Sequence, residues 1–84
     1  MNALLLAIIL ATSPNASGGR MALTNEQCTD TTYIAISFAE NGDTISGCWV
    51  SQQDYVFVKW EDGTVKTYPA SSFTLTKEAE EALK

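Results

Sequence analysis

At 84 residues the chain has room for one domain, and a composition that is 45% hydrophobic and 18% charged is that of a folding chain rather than a disordered one. The net charge of −5 and the five scattered basic residues, Arg20, Lys59, Lys66, Lys77 and Lys84, argue against partners that require phosphate neutralisation, namely nucleic acid and anionic membranes. With no histidine, the sequence lacks the commonest general base, pH switch and metal ligand.

Residues 3–11, Ala-Leu-Leu-Leu-Ala-Ile-Ile-Leu-Ala, form an apolar run of signal-peptide length, too short to cross a bilayer of roughly 30 Å as a helix. Thr12, Ser13, Pro14 and Asn15 break any helix, and the small residues Ala16, Ser17 and Gly18 offer cleavage positions after Ala16 or Gly18. The n-region carries no Lys or Arg, and Pro14 would stand at −3 for cleavage after Ala16. The expectation is a leader over 1–18 and one domain over 19–84, exported to the periplasm or secreted, with no stable membrane span once the leader is removed. The alternatives are a buried amino-terminal helix, an uncleaved anchor, or a start at Met21. Asn25-Glu26-Gln27 before Cys28 does not suit a lipoprotein site, and the Asn15-Ala16-Ser17 sequon falls at the expected cleavage point.

The remaining residues read as strands. Thr31 to Phe38 is rich in β-branched and aromatic types, with Ile34, Ile36 and Phe38 recurring at period two. Asn41-Gly42 signals a hairpin into a second strand from Thr44 to Val50. Ser51 to Asp54 turns into a third strand, Tyr55 to Trp60, and Asp62-Gly63 turns again into a fourth, Thr64 to Tyr68. Pro69 ends that strand as a ladder donor; Pro69 to Ser72 reads as one helical turn before Phe73-Thr74-Leu75. Thr76 is positioned to cap a short helix over 77–84. The predicted class is all-β: a small antiparallel barrel or meander with one disulfide and a short C-terminal helix.

A mature domain of about 65 residues buries little apolar surface, so a covalent staple is expected. Hairpin geometry brings Cys28 and Cys48 side by side. A redox pair would show closer cysteines, and a metal site would need further ligands, so a structural bridge is predicted and no metal or other cofactor is implied.

The segment Val56 to Tyr68, followed by Pro69-Ala70-Ser71-Ser72-Phe73, resembles the strand, Asp-Gly turn, strand, one-turn helix and strand that end SH3-like and Tudor-like barrels. It covers about a quarter of the chain and speaks to fold alone. Together with the leader, Cys28, Gly47-Cys48-Trp49 and Trp60-Glu61-Asp62-Gly63 resemble small secreted proteins encoded in proteobacteria and their phages; that resemblance implies no activity.

Period two places Val56, Val58 and Trp60 on one face and Tyr55, Phe57 and Lys59 on the other. On the preceding strand Cys48 and Val50 oppose Ile45, Gly47 and Trp49. If the disulfide faces the core, Trp49 faces out and joins Tyr55 and Phe57 in an exposed aromatic patch suited to an unknown protein, ligand or envelope component. The opposing expectation is that the terminal helix or Tyr68 covers this face. Asp54, Glu61 and Asp62 lie at turns, where acids serve as turn formers more often than as a catalytic pair, and serine without histidine leaves no conventional triad. The chain is therefore expected to bind rather than catalyse. Alternatives are a periplasmic inhibitor of a cell-wall hydrolase or protease, or a phage-encoded factor acting on the host envelope, presenting the Gln52 and Glu61 to Gly63 turns; a third is a purely structural subunit.

Overall fold

The computed structural model describes residues 9–15 and 18–82. Two of its hairpins share one construction. After β3 (Tyr33–Phe38), Ala39 N–H donates to Asp43 O at 2.8 Å and Gly42 holds φ at +96° before β4 (Thr44–Gln52). After β5 (Tyr55–Trp60), Trp60 N–H donates to Thr64 O at 2.8 Å and Gly63 holds φ at +90° before β6 (Val65–Pro69). In each only the glycine is left-handed, whereas a two-residue Asn-Gly or Asp-Gly turn would put both residues there, so these are longer loops closed by a glycine. Short side chains finish them: Asn41 Oδ1 accepts from Asp43 N–H and Asp62 Oδ1 from Thr64 N–H, both at 2.9 Å.

A single antiparallel sheet of seven strands results, ordered β6-β5-β4-β3-β2-β1-β7 and curled into a half-barrel. The remaining elements are β1 (Ile9–Pro14), β2 (Arg20–Gln27), a 3₁₀ turn over Ala70–Ser72, β7 (Thr74–Leu75) and α1 (Lys77–Ala82). The all-β class, the short C-terminal helix and the Cys28–Cys48 disulfide are thus those expected. Among the described residues no helix is long and apolar enough to cross a membrane.

Two strands were not foreseen. Arg20–Gln27 does not alternate, because Met21, Ala22, Leu23 and Thr24 are all buried in succession between neighbours on both edges. Ile9–Pro14, inside the run expected to be a leader, is a strand that pairs with β2 and β7, with Ala11 and Ser13 buried. A helical amino terminus therefore does not describe these residues. The earlier part of the expected leader, residues 1–8, and the cleavage point after Ala16 lie outside the described residues, as does the end of the expected tail helix at 83–84.

Register aligns the concave face in rows. Leu23, Ala35, Gly47 and Trp60 lie side by side across β2 to β5, and Tyr33, Trp49, Val58 and Lys66 across β3 to β6. Ala11, Met21, Leu23, Ala35, Val56, Val58 and Trp60 form the core, with Ile45, Trp49, Tyr68 and Phe73 packed on it. Gly47 is the key to this packing. A Cβ there would stand 2.5 Å from Lys59 O and 3.0 Å from the Trp60 ring, so only glycine lets the indole settle across the sheet.

Candidate functional site

The three aromatic residues expected to make one patch are divided between two faces. Trp49 pairs with Val58 and therefore lies on the concave side, packed against the core. Its Nε1–H donates to Thr24 O at 2.9 Å, and its ring lies 5.8 Å from that of Tyr33. Cys48, next in sequence, points to the convex side, beside Ile34 and Lys59. The condition attached to the patch, a disulfide facing the core, is thus not met. Cys28 lies just beyond β2, and its Cα is 5.7 Å from that of Cys48, so the bridge passes over the outside of the sheet and leaves the interior to the larger indole.

Tyr55 and Phe57 do lie together, on the convex face. Register sets Phe57 between Val50 on β4 and Thr67 on β6, while Tyr55 stands between Gln52 and Pro69. Val50 is 39% exposed, Tyr55 49% and Val65, on the edge strand, 62%; Phe57 is half-buried. Neither covering element expected from the sequence lies there: α1 packs against β1 at the far end of the sheet order, and Tyr68 belongs to the core side. The patch is aliphatic as much as aromatic, with Val50 in the place expected for Trp49. Strict alternation along β4 carried that signal, since Val50 follows Cys48 by two.

The concave side opens at one end into a cleft of about 650 Å³, floored by Met21, Ile45, Trp60 and Tyr68 and rimmed by Asp62 and Lys66. Trp60 Nε1–H donates to Tyr68 Oη at 3.3 Å, so the indole's one polar group is satisfied by the tyrosine beside it. The acids at the turns are likewise engaged: Glu61 Oε1 accepts from Ser46 N–H at 3.2 Å, and Asp62 from Thr64. The backbone N–H of Thr64, then its side chain and more weakly Lys66, lower the pKa of the exposed Asp62 carboxyl. Among the described residues no three Cys, Asp or Glu side chains converge as a metal-binding group. Comparisons with protein-family models, curated proteins and solved structures return no match to this chain.

Proposed function

We propose that this chain is an exported binding module that takes a protein or envelope ligand on its convex face, with Tyr55 and Phe57 as contact residues and Val50 and Val65 beside them. One observation carries this reading: four apolar side chains on three neighbouring strands, three of them at least 39% exposed, lie together on a face that neither expected covering element reaches. Contiguous apolar surface of this kind marks interaction sites, and aromatic anchors at its centre concentrate binding energy. A disulfide in so small a domain suits an oxidising compartment, which supports export. The succession of strand, Asp-Gly turn, strand, 3₁₀ turn and strand over 55–75 supports the SH3-like resemblance of the ending.

The test is affinity capture on the immobilised domain from a periplasmic extract. Tyr55→Ala and Phe57→Ala should each weaken capture about tenfold or more, equivalent to about 1.4 kcal/mol, while the domain stays folded. Capture unchanged in both variants refutes the convex face. Trp49→Ala, which strips the interior, is not a fair probe of binding.

The inhibitor or phage-factor reading, which presents the Gln52 and Glu61 to Gly63 turns, draws on a different feature in the first of these. Gln53 holds φ at +57° in the exposed β4–β5 turn, and Asp54 O accepts from Ala70 N–H at 2.8 Å, giving an exposed turn tied to the 3₁₀ turn beside it. Capture that survives Tyr55→Ala but is lost on Gln52→Ala would favour it.

A further inference from the structure

β1 is a strand of the interior of the sheet, yet it lies within the segment read as a removable leader. Its five registered pairs with β2 run from Ile9↔Thr24 to Pro14↔Arg20, and on its other side Ala11 and Thr12 meet Leu75 and Thr74 of β7. The end of the chain is fastened through it as well: Thr76 N–H donates to Leu10 O at 2.9 Å, and α1 packs on β1. Taking β1 away would uncover one edge of β2 along Arg20–Thr24, where four consecutive residues are buried, and would leave β7 without its sheet neighbour. An apolar strand edge left open is a template for another strand.

We propose that the lane between β2 and β7 is a strand-acceptor site, filled by Ile9–Pro14 in the full chain and, once the chain is cut after Gly18, by an extended segment of a partner protein. This rests on the export reading of the amino terminus. The lane specifies its occupant. The inward positions hold Ala11 and Ser13, 7% and 5% exposed, so the incoming strand carries residues no larger than these at alternate places. Between them, facing outward, Thr12 Oγ1 accepts from Arg20 Nη2 at 2.9 Å, so a hydroxyl or similar acceptor belongs there. The segment runs antiparallel to both neighbours and carries no charge, as Ile9–Pro14 does. A second copy of the chain does not supply it: the long free edge, β6, would present Lys66 and Tyr68 inward, and β7 is two residues long. Recognition through main-chain pairing, with small pockets setting the side-chain pattern, is a known way for a sheet to take a peptide.

A protease recognition sequence is inserted between residues 16 and 17 of the full chain, which is folded and oxidised, cut, unfolded in denaturant and refolded with excess isotope-labelled peptide of residues 9–15. Native mass spectrometry should show one labelled peptide per chain, and hydrogen exchange should show the alternate amides of 21–24 that face the lane, rather than those bonded to β3, protected only when peptide is present. A peptide carrying Phe at the positions of Ala11 and Ser13 should bind at least tenfold more weakly. No uptake, equal uptake of the bulky peptide, or full protection of 21–24 without peptide overturns the acceptor site. The intact mass of the chain recovered from the native host separates the two claims. A chain beginning after Gly18 supports the vacated lane, whereas a chain that retains residues 9–14 overturns the partner's role and the processing step together, leaving the peptide result to judge the lane alone.

Discussion

Gln53 occupies backbone space that suits glycine. Its φ of +57° is the one positive value at a non-glycine among the described residues, and holding an L-side chain there costs roughly 1–2 kcal/mol. Gln53→Gly relieves this while adding freedom to the unfolded chain, so a net gain of about 1 kcal/mol or less is expected, read as a higher urea midpoint at unchanged slope. Asp62 illustrates a charge that acts on pH dependence. Hydrogen bonding from Thr64 lowers its pKa from the ordinary 3.8, so its contribution is fully present above the unfolded value. That contribution disappears as pH falls through the lower folded value, in the acidic range below about pH 4. A carboxyl NMR titration should give a midpoint under 3.8. Asp62→Asn should lose less stability on acidification than the parent chain does, and parallel pH profiles would remove Asp62 from the account.

Hairpins and alternation were legible because both depend on near neighbours. β5, the Asn-Gly and Asp-Gly turns and the inward set Val56, Val58 and Trp60 follow from local pattern alone. Which face of β4 meets that set depends on register between strands, and here the disulfide misled: two cysteines suggest a buried bridge, while the interior had room for Trp49 instead. Gly47 was the available signal, since a glycine within a strand marks close approach of another group. Gly47→Ala should cost about 3 kcal/mol, because Lys59 O and the Trp60 backbone cannot withdraw without opening the β4–β5 ladder. The two sheet faces should also respond differently to truncation. Trp49→Ala should cost about 3 kcal/mol or more by chemical denaturation, and Phe57→Ala about 1 kcal/mol, reversing if Phe57 were the inward residue.

At the scale of the whole molecule, the sequence pattern could not show that an apolar amino-terminal run would complete a sheet. Leader-like hydrophobicity and the hydrophobicity of a buried strand are the same property, and no local pattern announces the pairing of Ile9–Pro14 with β2 and β7. The covalent staple acts at this scale too. Cys28 and Cys48 are 20 residues apart, and closing that loop in the unfolded chain is worth about 3 kcal/mol in the chain-entropy model, a large fraction of what a domain of this size possesses. Replacing both cysteines with serine should lower stability by about that amount in an equilibrium urea titration; a loss under about 1 kcal/mol would mean the half-barrel stands without its bridge.

The division of aromatic residues between the faces has an optical consequence. Both indoles, Trp49 and Trp60, belong to the concave side, and of the three tyrosines Tyr55 alone stands on the convex face. Tryptophan emission will therefore follow unfolding of the interior yet stay nearly constant when a partner settles on the outside, where Tyr55 is the chromophore placed to register its arrival.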